Sequence, residues 1–271
     1  MHMKDLKLFA LLAMILTACT SKPCTFTAEE LWLDSGGKKV FGTLYMPDGV
    51  KKAPLVVVSH GFGGTSQFLK GYGEALAPLG YAVYCYDFCG GSPFSRSEGK
   101  TSQMSIFTEK ADLEAVLDGL CAKDNIDPKH VTLIGESQGG MVSALAAAEL
   151  KERIERLILI FPAFCIKDDW VKMYPTLEDM PEEVDFWGVK LGRAYLTGLH
   201  ELDVMGTVSQ YAGPVSIFHG DQDQVVNVQY SVDAQAAYPN ATLTVLPGEG
   251  HGFSPEGQAQ VMEAITKLLK K

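Results

Sequence analysis

Three features of the sequence predict an α/β fold: a mostly parallel sheet of eight strands with helices on both faces. Apolar, β-prone runs alternate with stretches of helical period along the chain. The central runs, Leu55-Val56-Val57-Val58-Ser59 and Leu157-Ile158-Leu159-Ile160-Phe161 among them, are apolar without alternation, as strands covered on both faces require. The links between strands and helices are short, which suits strand–helix–strand units in one sheet.

The elements follow in order. Glu30-Leu31-Trp32-Leu33-Asp34 and Lys39-Val40-Phe41-Gly42-Thr43-Leu44-Tyr45-Met46 flank Ser35-Gly36-Gly37-Lys38 and read as an antiparallel hairpin at the sheet edge. Pro47-Asp48-Gly49 ends it. After the strand at Leu55 to Ser59, residues 67–79 read as a helix closed by Gly80. Tyr81-Ala82-Val83-Tyr84-Cys85-Tyr86-Asp87 is the next strand, and a Gly-rich loop follows it. Residues 106–122 place Leu113, Val116, Leu117 and Leu120 at helical spacing. Asp127-Pro128 turns into the strand His130-Val131-Thr132-Leu133-Ile134, and an Ala-rich helix follows from Gly140 to Leu150. Beyond Leu157 to Phe161 come a strand at Val215-Ser216-Ile217-Phe218, a helix over 228–238, a strand over 241–246 and a helix over 255–269. Ser254-Pro255 reads as an N-cap with Pro in the first helical position. Residues 163–213 are far more than one crossover helix needs and form an insert after the sixth strand.

Composition narrows the partners. The 271 residues are 46% hydrophobic, enough for a sizeable core. A net charge of -10 leaves no basic stripe to neutralise phosphates, which excludes nucleic acid. Cys19, Cys24, Cys85, Cys89, Cys121 and Cys165 contain no Cys-x-x-Cys pair, and no Cys/His spacing suits zinc. Neither a metal nor a cofactor is expected. Cys85, Cys121 and Cys165 lie in apolar segments and read as buried small hydrophobes.

The chemistry centres on Gly135-Glu136-Ser137-Gln138-Gly139, between an apolar strand and a helix. A turn this sharp cannot carry side chains at its flanks, so Gly is needed two places either side. The strained backbone then lifts the Ser hydroxyl clear of the sheet, at the positive end of the next helix. A serine nucleophile needs a base, and the base needs an orienting acid, following it in the order Ser, acid, His. His251, in Gly248-Glu249-Gly250-His251-Gly252-Phe253, lies directly after a strand in the last part of the chain. The acid should leave the strand at Val215 to Phe218, where Asp221 and Asp223 compete. An oxyanion would be held by the amides of Gln138 and of Phe62, in His60-Gly61-Phe62-Gly63-Gly64. His60 supports that loop, and His130, His200 and His219 read as structural.

The chain opens on Lys4 and Lys7, an apolar run over 8–16, and Leu16-Thr17-Ala18-Cys19. The run is too short to span a bilayer. Leu16-Thr17-Ala18-Cys19 resembles the lipobox of bacterial lipoproteins, which implies a signal peptide over 1–18, lipidation at Cys19, a linker over 19–28 and a domain from 29 onward. The mature protein would then be secreted and membrane-anchored.

His60-Gly61-Phe62-Gly63, Tyr86-Asp87-Phe88, Gly135-Glu136-Ser137-Gln138-Gly139-Gly140, Phe218-His219-Gly220-Asp221-Gln222-Asp223 and Gly250-His251-Gly252-Phe253 together resemble the α/β-hydrolase family. Within it the chain is similar to bacterial cinnamoyl and feruloyl esterases, which share the His-Gly-Phe loop, the Ser-Gln-Gly-Gly elbow and an insert after Pro-Ala, here Pro162-Ala163. The family pattern G-x-x-D-x-x-V selects Asp223 and leaves Asp221 as a turn residue bonding nearby backbone. The resemblance implies a serine esterase with no cofactor, an insert that acts as a lid, and an Asp after Pro-Ala that contacts a phenolic hydroxyl, which falls on Asp169. Two positions depart from the branch: Cys89-Gly90-Gly91-Ser92-Pro93 replaces Gly-x-Gly-x-Ser, and Glu136 stands where His is common.

The insert carries Phe164, Trp170, Tyr174, Phe186, Trp187 and Tyr195. These rings either flank a flat acyl group, Trp170 beside Asp169 among them, or form a small core of their own. The acidic run at 178–185 reads as a solvated face. The expected substrate is a small-molecule carboxylic ester. Two rivals are a peptidase resembling the catalytic domain of prolyl oligopeptidases, for which no propeller-length region precedes the domain, and a non-catalytic lipoprotein that binds a ligand on this scaffold. The second would lack one of the three side chains, and none is lacking.

Overall fold

A computed structural model describes residues 24–270. The signal-type segment and Cys19 lie outside them. The eight expected strands form one sheet. From one edge to the other they run β1 (Phe26–Ser35), β2 (Lys38–Pro47), β4 (Ala82–Tyr86), β3 (Ala53–Ser59), β5 (Ile126–Glu136), β6 (Arg156–Ile160), β9 (Val215–Gly220) and β10 (Ala241–Leu246). The β1–β2 and β2–β4 pairs are antiparallel, and every other pair is parallel.

Apolar strands without alternation serve two cores. Leu55 and Val57 face one side with Leu133 and Leu157, under α2 (Ile106–Cys121) and α3 (Gln138–Glu149). Val56 and Val58 face the other with Ile134 and Ile158, under α1 (Lys70–Leu76) and α7 (Pro255–Leu269). Each such side chain contributes about 1.5–3 kcal/mol by leaving water, so both faces of a central strand favour an apolar residue. Ser105 and Thr108 close a capping box at the start of α2, and the Ser254 hydroxyl accepts from the Gly257 amide at the start of α7.

Three sequence expectations need correction. The linker does not extend to residue 28: β1 begins at Phe26, and the Cys24 amide already donates to the Pro78 carbonyl at 3.0 Å. The helix over 67–79 is broken into a 3-10 turn, α1 and a second 3-10 turn carrying Pro78, because proline has no amide to continue an α-helical ladder. Asp127-Pro128 does not precede the fifth strand but lies within it, at a register shift against Pro54 and Leu55, where the missing proline donor is tolerated.

The insert between β6 and β9 holds α4 (Ile166–Met173), a hairpin of β7 (Glu183–Phe186) and β8 (Val189–Gly192), and α5 (Val204–Val208). Trp187 and Gly188 turn that hairpin with φ of 52° and 80°, as a two-residue turn demands. The acidic residues of 178–185 are exposed. Helix α6 (Gln229–Ala237) links β9 to β10. Among the described residues no helix is long and apolar enough to cross a membrane, and no group of three or more His, Cys, Asp or Glu could hold a metal ion.

Candidate active site

Ser137 sits between β5 and α3 with φ 50° and ψ -117°, a conformation that costs about 1–3 kcal/mol at a residue with a side chain. Its amide donates to the Ile160 carbonyl at 2.9 Å, and its carbonyl accepts from the amides of Gly140, Met141 and Ala163. These bonds hold the strain in place. The flanking glycines are required by contact. A Cβ on Gly139 would strike the Ser59 and His60 carbonyls, and one on Gly135 would strike the Gly139 carbonyl.

The structure brings together the three distant side chains singled out in the sequence. His251 Nε2 lies 3.0 Å from Ser137 Oγ, and His251 Nδ1 lies 2.8 Å from Asp223 Oδ2. An ionised Asp223 only accepts, so Nδ1 carries the imidazole proton and Nε2 is left to accept from the serine hydroxyl. Burial alone would raise the Asp223 carboxyl. Hydrogen bonds from His219, His251 and the Val226 and Val225 amides outweigh it and hold the group well below the usual carboxylate range. The loop bearing His251 is pinned by Glu249, whose carboxylate accepts from the Ser254 amide at 2.6 Å and from the Ser254 hydroxyl at 2.5 Å.

His219 proves closer to the site than its sequence suggests. Fully buried, it receives the Ser231 hydroxyl at Nδ1, 2.7 Å away, and places Nε2–H between the Val226 carbonyl and Asp223 Oδ2, at 2.9 and 3.2 Å. Asp221 lies outside the chain of bonds. Its Oδ1 accepts from the distant Gly248 amide at 2.7 Å and from the neighbouring Gln222 side chain at 3.2 Å, so the backbone it bonds is not that of its own turn. His130 pairs with Glu155 at the surface, and His200 meets the Pro175 carbonyl.

The His60-Gly61-Phe62 loop passes beside the serine: a Cβ on Gly61 would lie 3.2 Å from Ser137 Cβ. Among the described residues the amides of Phe62 and Gln138 have no acceptor, the latter because it opens α3. Burial pushes the His60 imidazole below its ordinary value, so it stays neutral. Nδ1–H then donates to the Gly61 carbonyl at 2.7 Å, and Nε2 accepts from the Phe88 amide at 3.2 Å.

The Gln138 side chain is held on both ends, which the sequence did not signal. Its Nε2 donates to Glu109 at 2.8 Å, and its Oε1 accepts from the Tyr195 hydroxyl at 2.5 Å. Burial pushes the Glu109 carboxyl well above its ordinary value, Gln138 pulling back in part and Asp112 adding to the rise. A carboxyl raised this way keeps its proton when folded and releases it when unfolded. Its stabilising effect is full below the unfolded pKa and falls as pH rises toward the folded one. Glu109→Gln removes that proton while keeping an oxygen for Gln138. The variant should therefore gain stability over the wild type as pH rises from 4.5 to 8, read by urea unfolding; an offset constant across that range contradicts this account.

Beside Ser137 opens a pocket of about 120 Å³, lined chiefly by Phe62, Gln138, Trp170, Phe186, Trp187 and Tyr195. Asp169 also borders it, while Asp168 is engaged by the Tyr230 hydroxyl at 2.8 Å. Trp170 packs on Phe186 and Tyr195 with ring centroids 5.0 and 4.6 Å apart, and Phe62 meets Phe186 edge-on at 5.5 Å. These rings form a small core of the insert, and its open face is the pocket wall. Phe164 and Tyr174 do not line it.

Residues 51–184 match the family model described as serine aminopeptidase, S33. The chain is 31% identical to the quorum-quenching protein AidA of Acinetobacter baumannii over 131 residues, 48% of this chain and 42% of that protein. It is 30% identical to monoglyceride lipase of Rattus norvegicus over 135 residues, 48% of this chain and 41% of that one. The matched stretch thus spans less than half the length of these curated relatives. Over nearly the whole fold the chain is similar to Est1E from Butyrivibrio proteoclasticus, solved with ferulic acid bound. The TM-score is 0.80 at 30% identity, covering 88% of this chain and 97% of that one. A match at that identity across almost all of a solved relative, on the sheet order found here, shows that the chain belongs to the α/β-hydrolase family and resembles its bacterial feruloyl esterases.

Proposed function

We propose that the protein is a serine carboxylesterase that works through an acyl-enzyme on esters of flat aromatic acids, hydroxycinnamates among them. The observation that carries this reading is the unbroken series from Ser137 Oγ through His251 to Asp223, at 3.0 and 2.8 Å, opening on an aromatic pocket. Ser137 Oγ attacks the ester carbonyl as His251 Nε2 takes its proton. The Phe62 and Gln138 amides receive the oxyanion, each worth roughly 3 kcal/mol of barrier. The tetrahedral centre collapses and His251 protonates the departing alcohol. Water, deprotonated by His251, then releases the acid and returns the proton to Ser137. Asp223 keeps the imidazole in its working tautomer and stabilises its charged form.

In this reading the insert is a lid, its rings sandwich the acyl group, with Trp170 among them, and Asp169 accepts from a phenolic hydroxyl. The test compares methyl esters of hydroxycinnamic, cinnamic and acetic acids. The hydroxycinnamate should show the highest kcat/KM, and Asp169→Ala should erase its margin over the cinnamate, about tenfold or more. Equal rates on all three would defeat the aromatic assignment. Secretion and a lipid anchor at Cys19 remain part of the proposal, resting on the lipobox resemblance; a membrane-extracted protein whose mass lacks the lipid would refute them.

A further inference from the structure

A second cavity, of about 360 Å³, opens next to the loop that bears His251 and shares no lining residue with the aromatic pocket. Its walls include the sequence neighbours of Ser137 and His251, namely Glu136, Gly252 and Phe253. Phe161 joins them and packs on the His251 ring at 4.5 Å, with Phe253 edge-on to Phe161 at 4.9 Å. Phe161 and Phe253 both hold positive φ, 37° and 48°, in a chain where only Ser137 and Trp187 are the other such residues with side chains among the described residues. Strain of this kind persists where the surroundings enforce it, and here it sets two rings against the cavity.

The chemistry of the walls is specific. Phe68, Tyr72, Phe161 and Phe253 supply aromatic faces, and Phe68 stands 79% exposed at the rim. Glu136 supplies a carboxylate, to which the Tyr72 hydroxyl donates at 2.6 Å through one oxygen. No Lys or Arg lines the cavity. Burial raises the Glu136 carboxyl, against the Tyr72 hydroxyl and the His251 imidazole, which favour the charged form. A neutral guest would cover the second carboxylate oxygen, which Tyr72 does not reach, and leave it without a partner. A cation would pair with it, and its remaining faces would meet the rings.

We propose that this cavity binds an ammonium group carried by the alcohol part of the ester, so that the preferred substrates are esters of amino alcohols. The alcohol assignment rests on the esterase reading above; the cation site does not. Binding is therefore measured by calorimetry on Ser137→Ala, which lacks the attacking hydroxyl, with choline and its uncharged isostere 3,3-dimethylbutan-1-ol as probes. Choline should bind about tenfold more tightly than the isostere, in line with a desolvated cation–aromatic contact plus a carboxylate. Adding Glu136→Gln should remove that margin. Adding Gly71→Leu, where a Cβ meets open space on a cavity wall, should weaken both probes and serves if Glu136→Gln does not fold. Equal affinity for the two probes, or a choline affinity that neither substitution changes, overturns the proposal. A choline ester and its 3,3-dimethylbutyl counterpart, offered to the wild type, separate the two readings. Loss of all ester turnover with choline binding intact supports the cation site and strikes the esterase. Turnover of both esters at one rate, without choline binding, strikes the site and leaves the esterase.

Discussion

Ser137→Ala should lower ester turnover by about 10⁵-fold or more while leaving the protein folded. The size follows from the geometry. His251 Nε2 accepts from one hydroxyl, at 3.0 Å, and without it the imidazole has no attacking atom to activate. Residual turnover would come from water and from the Phe62 and Gln138 amides, which the substitution does not touch. The fold should survive because the elbow is held by backbone bonds to Ile160, Gly140, Met141 and Ala163, none of which uses the serine side chain. Alanine inherits the same positive φ, so stability should change by no more than about 1 kcal/mol. Single-turnover kinetics on an aryl ester, with a thermal melt on the same sample, checks both halves. A variant that keeps even a hundredth of the wild-type rate would show that another group attacks the ester.

Asp223→Asn should cost about 10⁴-fold in kcat, through a tautomer rather than through lost contact. Asp223 accepts four donors: the Val225 and Val226 amides at one oxygen, and His251 and His219 at the other. Asparagine has one oxygen and one NH₂. The two backbone amides cannot reverse, so the oxygen turns to them and the NH₂ faces the imidazoles. His251 Nδ1 must then accept, which moves its proton to Nε2 and points it at Ser137. The imidazole becomes a donor where a base is needed. The acid limb of the wild-type pH profile should not come from Asp223, since a carboxyl held this far below its usual range stays ionised until strongly acid solution. Its contribution to stability is likewise present above the unfolded pKa and lost only as pH falls through the folded one. An Asn variant with near-normal kcat, or one whose imidazole proton is still on Nδ1 by nitrogen-15 spectroscopy, would contradict this account.

Much of this arrangement is legible along the chain because it is local. The strand that ends at Glu136, the glycines on both sides of Ser137, and the Gly-rich loop around His251 are each set by a few consecutive residues, and the family order then pairs them. The site residues that escape such reading are those whose neighbours are far away. His219 looks like an ordinary strand-end residue until Ser231 and Asp223 close around it. Glu109 sits in the first turn of α2, where an acid is ordinary, and only the approach of Gln138, itself held by Tyr195, makes a buried carboxyl tenable. Pro128 reads as a turn, and only pairing with β3 reveals a bulge.

By itself the sequence determined the alternation of strands and helices, the sharp turn at Ser137, and the Gly-rich loop that carries His251, because hydrophobic period and glycine placement act through neighbouring residues. The tertiary structure alone decided where the insert's rings go, what becomes of Glu136 and Glu109, and that a second cavity lies beside His251. Those outcomes depend on the water removed from each group and on which distant atoms replace it. That balance exists only after the chain has closed on itself.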